Sequence, residues 1–152
     1  MVVETNSAEE TFALGYKMGL KASRGDVVCL EGDLGAGKTV FAQGYAKGLG
    51  IKEPISSPTF NIVQIYEGGR LPLYHFDVYR LNSVEEIYDV GFEEYFFGNG
   101  VCLIEWASII YRVIPQSAAI VKIKKSLSKD YDYRRIEISR TRLGDNDDDI
   151  ID

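Results

Sequence analysis

Residues 32–39 read Gly-Asp-Leu-Gly-Ala-Gly-Lys-Thr, directly after the apolar run Val27-Val28-Cys29-Leu30-Glu31. Each glycine loses more backbone entropy on folding than any other residue, so three within six positions are costly unless the backbone must come close to something. The spacing Gly-x-x-x-x-Gly-Lys-Thr is that of a phosphate-binding loop. In such a loop, small residues let successive backbone N–H groups point into one concavity. A helix starting at its end adds the favourable field of its N-terminus. The chain is therefore expected to run as a strand over 26–31, a loop, and a helix from Lys38 to about Leu49, closed by Gly50. Lys38 is then a point charge for the β- and γ-phosphates of a nucleotide, and the Thr39 hydroxyl a ligand for Mg²⁺.

The remaining chain fits an α/β fold: a P-loop NTPase-like sheet covered by helices, with antiparallel hairpin additions. Ser7-Ala8-Glu9-Glu10 reads as a capping box opening a helix to about Ala22, with Phe12, Gly15, Met18, Gly19 and Ala22 on one face. Residues 59–66 and 71–79 are rich in β-branched and aromatic residues and flank Glu67-Gly68-Gly69-Arg70, which predicts a β-hairpin. Ser83-Val84-Glu85-Glu86 is a second capping box before a short helix, and 91–97 forms another helical piece. Val101–Glu105 is a short continuous apolar run of the kind that fills a doubly covered central strand. Residues 118–125 and 133–140 are expected to close the domain as a second hairpin.

Length and composition set the bounds. A chain of 152 residues suggests one domain, 1–142, followed by an acidic tail, 143–152. The 45% hydrophobic content is that of a globular protein and argues against disorder. No apolar run approaches the ~18 residues of a membrane span, and the N-terminus lacks the basic and apolar regions of a signal peptide. Cys29 and Cys102 both lie in apolar runs, as buried free thiols of a reducing, cytoplasmic compartment do. The net charge of −6 is uneven. Residues 120–142 carry eight Lys and Arg against three Asp and Glu, and the last ten residues carry five Asp. That basic stretch reads as a solvated strand face or as a patch for RNA or an acidic partner. An overall acidic chain is not built to grip nucleic acid alone.

Beyond the glycine loop, several residues are candidates for chemistry. Glu105 ends the central run and is either a magnesium-side or water-orienting carboxylate or a strand-end acid capping the next helix. Trp106 is core, pocket wall or a base-stacking platform. Asp77 holds Mg²⁺ through water, orients the attacking water, or caps the turn that follows. Thr59, in Ser56-Ser57-Pro58-Thr59, stands where a γ-phosphate-sensing switch is found. His75 is the single histidine and reads as a hydrogen-bonded packing residue.

The set Gly-Asp-Leu-Gly-Ala-Gly-Lys-Thr, Ser-Pro-Thr-Phe, Tyr-His-Phe-Asp-Val-Tyr-Arg-Leu and Leu-Ile-Glu-Trp, in that order, resembles the TsaE (YjeE) family. These are P-loop ATPases of bacterial tRNA threonylcarbamoyladenosine (t6A) biosynthesis. The resemblance runs from about Glu9 to Trp106. It implies that Gly35, Ala36, Gly37, Lys38, Thr39 and Val40 cradle the phosphates of ATP. It further implies that Thr39 and Glu105 hold Mg²⁺, that Asp77 assists hydrolysis and that Thr11 lies by the adenine. The implied partners are TsaD and TsaB, which modify adenosine 37 of tRNA, with tRNA reached only through that complex. Val40 stands where the family often has a second Thr, and Ala107 where Pro often follows Glu-Trp. Two other classes fit the glycine loop. A small-molecule kinase needs a lid with arginines, and only Arg70, Arg80 and Arg112 lie between the loop and the last hairpin. A non-hydrolysing nucleotide switch of the GTPase kind needs a guanine-reading Asn/Thr-Lys-x-Asp stretch, which is missing.

Overall fold

The β-branched and apolar runs of the sequence assemble into one seven-stranded sheet. The structure, a computed structural model, describes residues 1–33, 35–56, 58 and 61–140. In chain order the elements are β1 (Val2–Thr5), α1 (Ala8–Lys21), β2 (Val27–Glu31), α2 (Lys38–Gly48), β3 (Val63–Tyr66), β4 (Leu73–Asp77), α3 (Glu85–Val90), α4 (Phe92–Phe96), β5 (Val101–Glu105), a 3₁₀ segment (Ala107–Val113), β6 (Ala119–Lys124) and β7 (Arg134–Ser139). The strand order is β1-β7-β6-β2-β5-β4-β3. The β6-β2-β5-β4 centre is parallel, and β7, β1 and β3 are added antiparallel at the two sides. The α/β class and both expected hairpins, β3–β4 and β6–β7, are present.

The central strands are covered on both faces, so they read as unbroken apolar runs, and alternate side chains go to opposite layers. Val28, Leu30, Val101 and Leu103 join the core under α1 and α2 with Phe41, Tyr45 and Leu49. Val27, Cys29, Cys102 and Ile104 join the other layer with Ile87, Phe92, Phe96 and Ile110. Both cysteines are free and buried. Burial pushes their thiols up from the ordinary range, which keeps them protonated and unreactive.

Glycines bring α1 and α2 backbone to backbone. A Cβ at Gly15, Gly19, Gly44 or Gly48 would run into the carbonyl oxygens of Phe41, Tyr45, Phe12 and Tyr16 respectively. The start of α1 is thereby set close to the start of α2. Ser7 caps α1 by accepting the Glu10 N–H at 3.1 Å, while Glu10 reaches back to the N–H of Asn6 rather than of Ser7. At the far end, the Arg70 guanidinium donates to the carbonyls of Gly19 and Leu20 at 2.7 and 2.9 Å. Arg70 is thus a helix C-terminal cap, not a lid arginine.

Four local features differ from the sequence reading. β1 is a strand where none is expected, because pairing with β7 orders four residues that have little strand signal of their own. β3 begins at Val63 rather than 59. The second capping box does not form as a box: Val84 is the N-cap of α3 and makes no side-chain cap bond, and Glu86 instead accepts the N–H of Asn82. After β5 the chain enters a 3₁₀ segment rather than an α-helix, with Trp106 at its N-cap position.

Candidate functional site at the carboxyl ends of the parallel strands

β2, β5 and β4 run parallel and end side by side: Glu105 and Asp77, the last residues of β5 and β4, are register partners, and Glu105 pairs on its other side with Leu30, next to the last residue of β2. The carboxyl edge of a parallel sheet is where open α/β folds take their ligands. Here the glycine loop and the acidic strand ends meet.

The loop half is built from backbone. Gly35 and Gly37 have φ of +77° and +111°, left-handed values that a side chain rarely adopts. At Gly32 a Cβ would sit 2.6 Å from the carbonyl oxygen of Ile123, so only glycine lets the loop pass β6. Gly37 is the N-cap of α2 and offers no side-chain cap, which leaves the first N–H groups of the helix for a ligand. Arg134 on β7 holds the loop by its carbonyls. Its Nε donates to Ala36 O at 2.6 Å, and its terminal nitrogens donate to the carbonyls of Tyr131 and Tyr133 at 2.7 Å and reach Gly35 O at 3.5 Å. Thr39 is exposed at the start of α2.

The strand-end half is built from side chains. Lys38 is buried, and its Nζ lies 4.3 Å from the centroid of the Trp106 ring, a cation–π contact. Trp106 is the non-glycine residue with positive φ, +62°, among the described residues. Such a conformation costs about 1–3 kcal/mol and clusters at functional sites. Trp106 also packs on Tyr79, ring centroids 4.9 Å apart. Glu105 is 4% exposed, and its Oε2 lies 2.8 Å from Nε2 of His75, itself buried. Asp77 Oδ1 accepts the N–H of Tyr79 at 3.1 Å, which turns the chain at the end of β4.

Glu31 and Arg134 are contributors that the sequence reading does not single out. Glu31, at the end of β2, accepts the N–H of Ser108 at 3.3 Å and so ties the glycine loop's strand to the segment after Trp106. Burial holds its carboxyl above the ordinary range, partly opposed by the Ser108 N–H and the charge of Lys38. Its position directly before the loop was the available signal. His75, expected as a hydrogen-bonded packing residue, is buried and has its hydrogen bond, with the Glu105 carboxylate as partner. In the sequence Arg134 is one charge of a basic stretch, and nothing local ties it to the loop 98 residues away that it holds.

Thr11 lies in a neighbouring cavity of about 50 Å³, lined also by Gly37, Val40, Asp132 and Arg134. Its hydroxyl is engaged with that of Thr5 at 2.8 Å. Gly35, Ala36, Gly37, Lys38, Thr39, Glu105, Trp106 and Asp77 share the carboxyl edge of the sheet. Thr59 lies outside the described residues. Among the described residues no group of three or more His, Cys, Asp and Glu is arranged to hold an ion alone. The available donors, the Thr39 hydroxyl and the Glu105 and Asp77 carboxylates, are hard oxygens. They suit Mg²⁺, which is held through one or two carboxylates together with substrate phosphates.

Comparison with known proteins agrees with this architecture. The family model for TsaE, threonylcarbamoyl adenosine biosynthesis protein TsaE, matches residues 5–136. The tRNA threonylcarbamoyladenosine biosynthesis protein TsaE of Bacillus subtilis is 50% identical over 122 residues, 80% of this chain and 76% of that protein. The protein of the same name from Treponema pallidum is 44% identical over 120 residues, 79% of this chain and 88% of that protein. The crystal structure of YdiB from Bacillus subtilis superposes with a TM-score of 0.73 at 44% identity, covering 90% of this chain and 82% of that one.

Proposed function

This chain belongs to the TsaE family of threonylcarbamoyl adenosine biosynthesis proteins, and on that premise we propose that it is a Mg²⁺-dependent ATPase supporting TsaD and TsaB in the threonylcarbamoylation of tRNA adenosine 37. The observation that carries the reading is the meeting of a helix-start glycine loop, with its buried Lys38, and the Glu105–Asp77 pair at one sheet edge.

In this reading the N–H groups of Gly35 to Val40 receive the phosphate oxygens of ATP. Lys38 leaves the face of Trp106 and neutralises charge on the β- and γ-phosphates. The Thr39 hydroxyl and the Glu105 carboxylate are the protein ligands for the ion, and Asp77 orients the attacking water. Mg²⁺, when bound, neutralises charge developing on the transferred phosphoryl group. The start of α1 near Thr11 lies by the adenine, Trp106 walls the site, and Thr59 senses the γ-phosphate. Hydrolysis is weak alone and rises with partners, and tRNA is met through the complex. Residues 1–142 form the nucleotide-binding domain, 143–152 an acidic tail. No helix among the described residues is long and apolar enough to cross a membrane, and the proposed place of action is the cytoplasm.

The test is ATP turnover by the purified chain with Mg²⁺, first alone and then with TsaD, TsaB and tRNA, with Lys38→Ala as control. Turnover that depends on the complex and fails in the variant supports the reading. Equal turnover with and without partners contradicts it.

A further inference from the structure

His75 is the single histidine in the chain, and the mechanism above gives it no part. It is 1% exposed. Nε2 contacts Glu105 Oε2 at 2.8 Å, while Nδ1 is buried without a hydrogen-bond partner. An unsatisfied buried polar atom costs about 1–3 kcal/mol. An apolar side chain at this position avoids that cost, so packing alone does not explain an imidazole.

The strand register explains the contact. His75 pairs with Leu103, and Asp77 with Glu105. Residues two apart on a strand share a face, so His75 and Asp77 share one. His75 therefore reaches diagonally, from the pair preceding the strand end, to the carboxylate at that end. An ionised carboxylate only accepts, so with Glu105 ionised, as a metal ligand must be, Nε2 carries the proton of this bond.

We propose that His75 is a positioning residue: by donating Nε2–H to Oε2 it fixes the orientation of the Glu105 carboxylate that serves the magnesium nucleotide. The inference rests on the ATPase reading above. Groups that orient a metal ligand without touching the metal commonly change its affinity by about 10–100-fold when removed.

The experiment uses the full chain, a non-hydrolysable ATP analogue, and Mn²⁺ as a paramagnetic probe of the ion site, titrated by electron paramagnetic resonance. His75→Phe keeps a ring and removes the donor. Its Mn²⁺ affinity in the presence of the analogue is expected to fall about 10-fold or more, with affinity for the analogue alone unchanged. His75→Gln supplies an amide N–H at similar reach and is expected to recover most of the loss. Wild-type Mn²⁺ affinity in His75→Phe overturns the proposal, as does failure of His75→Gln to recover any of it. If wild-type protein takes up no Mn²⁺ with the analogue, the ATPase reading itself fails and the inference falls with it. Nitrogen NMR of the single histidine in wild-type protein gives a check that needs no variant. The proton is expected on Nε2, with a resonance shift when Mg²⁺ is added to the analogue complex. A ring protonated on Nδ1 alone, or a resonance indifferent to Mg²⁺, contradicts the proposal.

Discussion

The two halves of the site are held by different physics. The glycine loop is shaped by backbone: left-handed glycines, a close pass of β6 at Gly32, and Arg134 bonded to loop carbonyls. The acidic half is shaped by side chains that meet only because β2, β5 and β4 lie in register. Backbone recognition of an anion requires small residues at fixed spacing, so it is written locally. Side-chain recognition of a metal requires tertiary pairing between residues such as His75 and Glu105, which are 30 positions apart. The loop half is therefore expected to govern nucleotide binding, and the strand-end half hydrolysis.

Several substitutions break or sharpen that contrast. The largest effect is expected from Lys38→Ala, which removes a charge that starts α2 in the glycine loop and lies on Trp106 at the strand ends. Steady-state kcat/KM for ATP should fall about 100- to 1,000-fold, the scale of losing one preorganised charge-stabilising group. A loss under threefold would mean that the loop binds without Lys38.

Gly44→Ala tests whether the loop half depends on the backbone contact of α1 with α2. The added methyl meets the carbonyl of Phe12, and overpacking of this kind costs about 1–3 kcal/mol. The urea midpoint should drop accordingly, while the His75–Glu105 contact stays intact. An unchanged midpoint would show that the helices separate easily.

Ser7→Ala removes the side-chain cap of α1 and should cost about 1 kcal/mol by the same measurement. Ser7 also lines the small cavity by Thr11 and Gly37, so any effect on the site is confined to the loop half.

Glu31→Gln probes the tie between the halves and should show the smallest effect, visible mainly in pH dependence. The folded-state carboxyl of Glu31 is raised by burial. An acid with a raised folded value stabilises the protein most when it is protonated in both states. That contribution is lost as pH rises from the ordinary carboxylate value through the raised one. Urea midpoints measured from pH 4 to 7 should therefore decline less in Glu31→Gln than in wild type. Parallel curves would contradict the buried-carboxyl assignment.

How much of this was legible follows the same division. The strand before the loop, the loop itself, helix α2 with Gly50 at its end, and both hairpins follow from local pattern. So does the cap at Ser7. β1 was not legible because Val2–Thr5 becomes a strand only by pairing with β7, at the far end of the chain. Ser83 has the spacing of a capping box, but the turn into α3 puts Val84 at the N-cap position, so spacing misled. The positive φ of Trp106 belongs to a residue type that normally avoids it, and no local signal announces it. Glu105 and Asp77 were recognisable as strand-end acids. That they are register partners, with His75 bonded to one of them, is a property of the sheet.

The most direct measurement of the division of labour is a paired one on Glu105→Gln: equilibrium affinity for ATP and single-turnover hydrolysis with Mg²⁺ and the partner proteins. Affinity is predicted to stay within a few-fold of wild type while the hydrolysis rate falls about 100-fold, since metal geometry matters most in the transition state. Hydrolysis at the wild-type rate, or an affinity loss as large as the rate loss, would contradict the separation of binding and chemistry between the two halves.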